Sequence, residues 1–152
     1  MKILFLDSKG EGLAFLAQSL LQQYDRYMLI SSASVLPNQG VRDIIQRCIS
    51  GLNLKEKARF VPVSEFLNEP WDYVVTLTEE AKLNYPVFNG RVKLHIRLPL
   101  EALINEKDRD FTCARLNEEI KKQLYIFYQH HILEPEEERR CPCGANRYCR
   151  CF

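Results

Sequence analysis

The sequence predicts an α/β fold in three layers, with a parallel sheet covered by helices. Short apolar runs alternate along the chain with longer segments in which apolar residues recur at helical spacing. Strands that alternate with helices in this way form parallel sheets covered on both faces. The first apolar run is followed by a glycine-containing turn and a helical segment, which is how a β-α-β unit opens.

The opening unit is the best defined part of the pattern. A continuous apolar run at Ile3–Leu6 favours a strand buried on both faces. The turn Asp7–Gly12 follows it. The next segment forms the apolar face of a helix from Leu13, Leu16, Ala17, Leu20, Leu21 and Tyr24. Ligands of parallel sheets bind beyond the carboxyl ends of the strands, so the turn lies where a site is expected.

The later elements continue the alternation. We expect strands at residues 27–31, 73–77 and 92–98. We expect helices at residues 37–50, where Gly51 supplies the stop signal, and at about residues 110–132. Ser64 is the expected N-cap of a short helix between the second and third strands. The inward face of the second helix is formed by Val41, Ile44, Ile45, Cys48 and Ile49.

Size and composition exclude several classes of protein. The chain has 152 residues, the size of one compact domain, and its 46% of hydrophobic residues excludes disorder throughout. The net charge of +1 argues against nucleic acid held by bulk charge. No apolar run approaches the roughly 18 residues of a membrane span. The N-terminus does not resemble a signal peptide, so the expected location is the cytoplasm, where thiols stay reduced.

The C-terminal residues differ in character from the rest. Residues 1–133 are the expected α/β domain, residues 134–140 a charged linker, and residues 141–152 a cysteine-rich tail. Four of the six cysteines lie in that tail. The oligomeric state is not indicated by the sequence.

Three stretches resemble one known superfamily. They are the strand–turn–helix opening, residues 69–76 (EPWDYVVT) and residues 79–90 (EEAKLNYPVFNG). These look like the low-molecular-weight protein tyrosine phosphatases, and in particular like their thioredoxin-coupled arsenate reductase branch. The resemblance covers about residues 1–132. It implies a four-stranded sheet of order 2-1-3-4 and, for typical members, phosphatase or reductase activity.

The resemblance also implies which residues the reaction needs. In the family a Cys at the start of the first loop attacks phosphorus or arsenic as a thiolate. An Arg six positions later grips the oxyanion through two parallel hydrogen bonds. An Asp near the fourth strand protonates the leaving group. The reductase branch uses two further Cys in a disulfide relay.

The sequence departs from that pattern at every one of these positions. Asp7 stands at the place of the nucleophile and Leu13 at the place of the Arg. Ala102 stands at the place of the general acid, with Glu101 one position away. Thr78 and Tyr85 stand at the places of the relay cysteines. The matching loop is therefore Asp7, Ser8, Lys9, Gly10, Glu11, Gly12 and Leu13, and we expect it to have lost the family reaction.

The negative charge of Asp7 suggests what replaced that reaction. The family loop aims backbone N–H groups and a helix N-terminus at an anion. We hypothesise that the Asp7 carboxylate accepts these N–H bonds and fills the anion site from within. Two other interpretations stay open: an aspartyl-phosphate nucleophile, which would want a second acid and magnesium nearby, and a site for an unidentified small ligand. Lys9 offers a flexible ammonium group and no bidentate clamp.

The tail carries the strongest chemical signal. Its two C-x-C pairs, separated by five residues, offer four thiolates, which is the ligand set of a closed structural zinc site. The ligands of this expected zinc ion are Cys141, Cys143, Cys149 and Cys151. The stretch also resembles the SEC-C zinc motif, although it is shorter before the second pair and has Arg150 between the last two cysteines. Free thiols, a disulfide formed on oxidation and a copper site remain alternatives.

The other cysteines and the histidines give weak signals. Cys48 lies on the apolar face of a helix and Cys113 begins another, so both are read as small core residues. His95 is expected within a buried strand. His130 and His131 end the last helix, where a cation interacts favourably with the helix dipole.

Two classes of function follow from these observations. The first is a binding or regulatory module: a phosphatase-like fold without catalysis, whose zinc-bearing tail contacts an unidentified protein partner. The second is an enzyme, a divergent phosphatase or arsenate reductase in which the tail cysteines replace the missing thiols. The absence of an anion clamp weighs against the second.

Overall fold

The computed structural model describes residues 1–10, 12–37, 40–52, 61–92, 94–103 and 112–133. Four strands form one parallel sheet in the order β2-β1-β3-β4. The fold class and the strand order expected from the sequence are confirmed. The strands are β1 (Lys2–Asp7), β2 (Leu29–Ser34), β3 (Tyr73–Thr76) and β4 (Leu94–Arg97).

The central position of β1 determines what lies at the carboxyl edge of the sheet. Its register runs from Lys2 opposite Leu29 to Asp7 opposite Ser34 on one side, and Ile3 lies opposite Tyr73 on the other. The last residue of β1 therefore has a strand neighbour on the β2 side and the turn after β3 on the other. Asp7 is only 2% exposed.

The helices pack mainly on one face of the sheet. They are α1 (Leu13–Gln22), α2 (Asp43–Ser50), α3 (Glu79–Leu83) and α4 (Cys113–Tyr128), the last continued by a π-helical turn at Gln129–Leu133. The apolar faces of α1, α2 and α4 join Ile3 and Phe5 in the larger core cluster. Leu4 and Leu6, which point the other way, pack in a second cluster with Trp71. This alternation is what a strand buried on both faces requires.

The second helix is shorter than the sequence pattern predicts. The apolar spacing predicts a helix from residue 37, but α2 begins at Asp43. Gly40 has φ 101°, a left-handed conformation that a right-handed helix cannot contain. Arg42 is extended and forms the N-cap. The predicted inward residues Ile45, Cys48 and Ile49 are buried as expected.

Several smaller boundaries also differ. Strand β2 begins two residues later than expected, at Leu29. The predicted capping role of Ser64 is wrong, because Ser64 lies inside a 3-10 turn at Val63–Phe66 in which the N–H of Glu65 bonds the carbonyl of Pro62. The α3 helix was not predicted. In the part of the chain that the structure describes, no helix has the length and apolarity to cross a membrane.

Candidate functional site: the loop after the first strand

The loop between β1 and α1 is shaped by two glycines in the left-handed conformation. Gly10 has φ 73° and Gly12, the N-cap of α1, has φ 99°. Residues other than glycine adopt such positive φ angles only at a cost in conformational energy. A Cβ built on Gly12 would also lie 2.9 Å from the side chains of both Ile45 and Val41. The turn therefore depends on glycine at residue 12 for its backbone angle and for the close approach of α2.

The Asp7 carboxylate binds backbone N–H groups of this loop and helix. Its Oδ1 accepts a hydrogen bond from the N–H of Gly10, and its Oδ2 accepts one from the N–H of Ala14, both at 3.2 Å. The second donor belongs to the first turn of α1, where N–H groups have no partner within the helix. A carboxylate there also interacts favourably with the helix dipole. The hydrogen bonding hypothesised for Asp7 is thus what the structure contains.

The side chain at residue 13 lies in the core. Leu13 is 1% exposed and belongs to the larger hydrophobic cluster. The family resemblance implies a guanidinium at this position, directed at the bound oxyanion. Here the residue serves packing instead.

A second contact joins the loop to the turn after β3. The hydroxyl oxygens of Ser8 and Thr78 are 2.5 Å apart, and both residues are buried. Thr78 also accepts a hydrogen bond from the N–H of Ala81 at 3.0 Å and so forms the N-cap of α3. The position at which the resemblance implies a relay cysteine is therefore occupied by a helix cap.

Lys9 forms an ion pair at the rim of this region. Its ammonium nitrogen lies 3.4 Å from a carboxylate oxygen of Glu80, and both side chains are partly exposed. Tyr85, at the other relay position, packs its ring 5.6 Å from that of Phe88. The Lys9–Glu80 ion pair and the Tyr85–Phe88 ring contact both join side chains of this protein, and both are structural contacts.

A small cavity lies beside the loop, on the side of β2. Its volume is about 10 Å³, about enough for one water molecule, and it is lined in part by Asp7, Gly10, Phe15, Ser32 and Ser34. Pockets for drug-sized ligands usually begin at about 300 Å³. One lining hydroxyl, that of Ser32, donates to Gln18 Oε1 at 2.8 Å. The cavity is therefore too small for a substrate.

Other predicted site residues are placed only in part. Glu101 and Ala102 lie in a 3-10 turn at Leu100–Leu103 that follows β4, and their side chains lie outside the described residues. The N–H of Leu100 bonds the carbonyl of Leu77, which sets this turn at the same edge of the sheet as Thr78. Glu11 also lies outside the described residues.

The predicted zinc ligands Cys141, Cys143, Cys149 and Cys151 all lie outside the described residues. Within the described ranges, no three His, Cys, Asp or Glu side chains come together as a metal-binding group. His95 lies in β4, paired with Val74. His131 is partly buried and packs its ring against those of Tyr73 and Phe127, with centroids 6.0 and 5.4 Å away.

Sequence reasoning missed one covalent feature. Cys48 of α2 and Cys113, the first residue of α4, form a disulfide. The sequence pattern predicts two small core residues here, and Cys48 is indeed fully buried. The two lie 65 residues apart. Only the helical register, which turns both toward the same core, gave a signal that could have paired them.

Comparison with solved structures identifies the fold. An arsenate reductase from Archaeoglobus fulgidus is 22% identical over 84% of this chain and 98% of its own, with a TM-score of 0.57. A low-molecular-weight protein tyrosine phosphatase from Bacillus subtilis is 15% identical over 85% and 97%, also with a TM-score of 0.57. A thioredoxin-dependent arsenate reductase from Corynebacterium glutamicum is 18% identical over 88% of this chain, with a TM-score of 0.56.

These similarities establish a shared fold. The chain spans 62% of the length of the Corynebacterium enzyme and nearly all of the other two. No family model matches the sequence, and no curated protein matches it. The fold is thus that of the low-molecular-weight phosphatases and arsenate reductases, as the sequence resemblance indicated.

Proposed function

We propose that this chain is a binding or regulatory module built on the phosphatase and arsenate reductase fold, without that fold's catalytic reaction. One observation carries the proposal: the Asp7 carboxylate accepts the N–H bonds of Gly10 and Ala14. Those are the donors that an anion in the loop would need. The site is filled by the protein's own charge.

Electrostatics supports this proposal. Two like charges about 4 Å apart repel by about 4 kcal/mol at an effective dielectric constant of about 20. A phosphate or arsenate dianion beside Asp7 would meet at least that penalty. Leu13 supplies no guanidinium to offset it, and Lys9 is paired with Glu80. The loop lacks both a thiolate nucleophile and the clamp that would hold a substrate.

The tail completes the proposed module. Four cysteines in two C-x-C pairs suit one structural zinc ion with four thiolate ligands. Four thiolates on Zn²⁺ carry a net charge of −2, which nearby basic residues would offset. Those residues are Arg139, Arg140, Arg147 and Arg150. A closed site of this kind leaves no position for a reactive water, so the metal would hold the tail in shape for a protein partner.

Activity assays test the loss of catalysis. We expect the full chain to show no turnover of para-nitrophenyl phosphate and no arsenate-dependent thiol oxidation above a no-protein blank. The matched control carries Cys→Ser changes at the four tail positions and should behave identically. A rate that the tail substitutions abolish would contradict the proposal and favour the alternative, an enzyme that uses tail thiols.

Native mass spectrometry tests the tail. Protein purified without chelator or added metal should carry one zinc ion per chain, and the tail variant should carry none. A metal-free wild-type chain, lighter by about 2 Da for each disulfide in the tail, would contradict the zinc site. That result would not bear on the role proposed for Asp7.

A further inference from the structure

The disulfide between Cys48 and Cys113 joins two helices that differ in access to solvent. The Cα atoms lie 5.0 Å apart, within the range that a disulfide spans without backbone movement. Cys48 is fully buried, whereas Cys113 is only partly buried at the first position of α4. Cys113 is thus the more accessible residue of the pair.

The position of Cys113 also makes it the more reactive thiol. The N-terminus of a helix carries partial positive charge, which favours the thiolate over the thiol. The N-cap of α4 is Thr112, which accepts a hydrogen bond from the N–H of Arg115 at 3.1 Å. The first turn is therefore held in place with Cys113 at its start. A partly exposed cysteine beside a buried one is the arrangement of an attacking and a resolving cysteine.

We propose that Cys48 and Cys113 form a reversible redox pair that is oxidised by hydrogen peroxide. The Cys113 thiolate attacks one oxygen of the peroxide, the O–O bond breaks, and the leaving oxygen departs as water after protonation. The resulting sulfenic acid is attacked by the Cys48 sulfur, and its S–O bond breaks to release a second water. Two thiols thus lose two electrons and two protons, and hydrogen peroxide becomes two waters. A dithiol reverses the change by thiol–disulfide exchange.

The bond acts on the region of the candidate site through α2. Ile45 and Ile49, on the same face of α2 as Cys48, approach a Cβ built at Gly12 to 2.9 and 3.4 Å. The disulfide therefore ties the start of α4 to the part of α2 that packs on the end of the loop. The inference does not depend on the proposed loss of catalysis.

Peptide mapping tests the pair in the unmodified full chain. Cleavage at Lys and Arg places Cys48 in a peptide of residues 48–55 and Cys113 in one of residues 110–115, both separate from the tail. Reduced protein given one equivalent of hydrogen peroxide should yield these two peptides cross-linked, and dithiothreitol should separate them. Alkylation of the reduced protein should label Cys113 at least about tenfold faster than Cys48, since burial protects the latter.

Two variants identify the order of the steps. Cys48→Ser should leave Cys113 as a sulfenic acid that dimedone traps, whereas Cys113→Ser should leave Cys48 unmodified. Cys48→Ala serves if the serine variant does not fold. Three results would overturn the proposal: cross-links from Cys113 to the tail instead of to Cys48, direct passage of Cys113 to sulfinic acid in the wild type, or a bond that dithiothreitol does not open in the native protein.

Discussion

Two loops at the carboxyl edge of the sheet meet the same need in different ways. Each follows a buried strand and leads into a helix whose first N–H groups need acceptors. After β3, Thr78 caps α3 with its own hydroxyl at the ordinary N-cap position. After β1, the N-cap is Gly12, which has no side chain to offer, and the acceptor is the Asp7 carboxylate seven residues before Ala14.

The difference shows that the loop after β1 has more hydrogen-bonding and backbone features than the capping of a helix requires. A hydroxyl at the cap is enough for α3. The β1 loop instead uses two left-handed glycines and a buried charge to turn its N–H groups toward one point. Such a convergence of N–H groups is typical of anion sites. We infer that the backbone keeps the geometry of an anion site, while Asp7 takes the place of the anion.

The largest expected effect comes from filling the space at Gly12. Gly12→Ala combines an unfavourable φ with a Cβ 2.9 Å from two side chains of the α2 region. We expect a loss of about 3 kcal/mol in the free energy of unfolding, measured by urea denaturation.

Gly40→Ala is the matched control for that change. Gly40 has φ 101°, yet among the described residues no heavy atom lies within 4 Å of a Cβ built there. Its cost should be that of the backbone alone, about 1–2 kcal/mol. Equal losses at the two glycines would show that packing of α2 on the loop contributes nothing.

The next effect compares the two acceptors directly. Asp7→Ala leaves the N–H groups of Gly10 and Ala14 without their carboxylate, at an expected cost of about 2 kcal/mol. Thr78→Ala removes a hydroxyl N-cap, at an expected cost of about 1 kcal/mol. Thermal unfolding measured by circular dichroism would show which of the two substitutions causes the larger loss of stability. A larger loss for Thr78→Ala would mean that the carboxylate is a minor part of the loop.

The smallest effect lies away from both loops, at the partly buried hydroxyl of Tyr128, which donates a hydrogen bond to Asp25 at 3.2 Å. Burial, followed by the hydrogen bond to Asp25 and the charge of Asp25, raises the pKa of Tyr128 above its usual 10.0. A raised folded-state pKa gives stability that is complete below pH 10 and is lost as pH rises through the folded value. The melting temperature of the wild type should therefore fall more steeply above pH 10 than that of Tyr128→Phe. Parallel curves would contradict this.

The sequence predicted the features that depend on local pattern. The run Ile3–Leu6 and the inward face of α1 from Leu13 to Leu21 were predicted correctly, because burial on both faces and helical spacing leave direct marks on residue type. The predicted place of Tyr24 on that face is wrong, because α1 ends at Gln22 and Tyr24 is exposed. The start of α2 was missed because the left-handed Gly40 interrupts a continuous apolar pattern. The short α3 was missed because five residues carry too little periodicity to be recognised.

The features of the candidate site also divide into those that follow from local sequence pattern and those that do not. That Asp7 would accept N–H bonds in the loop was predictable, because a carboxylate at the end of a strand meets a helix N-terminus in this topology. The contact of Ser8 with Thr78 and the bond between Cys48 and Cys113 join residues 70 and 65 positions apart. Neither follows from local pattern, because both depend on how the completed sheet and helices come together.

Phosphate titration of the loop tests the central claim most directly. Amide shifts of Gly10 and Ala14 would be followed by NMR in the wild type, in Asp7→Ala, and in Glu119→Gln, which removes an exposed carboxylate on α4 and leaves the pair of Lys9 and Glu80 intact. We predict that Asp7→Ala binds phosphate at least about 100-fold more tightly than the wild type, in line with a repulsion of about 4 kcal/mol. Glu119→Gln should match the wild type. Saturable phosphate binding by the wild type at the affinity of Asp7→Ala would contradict the account.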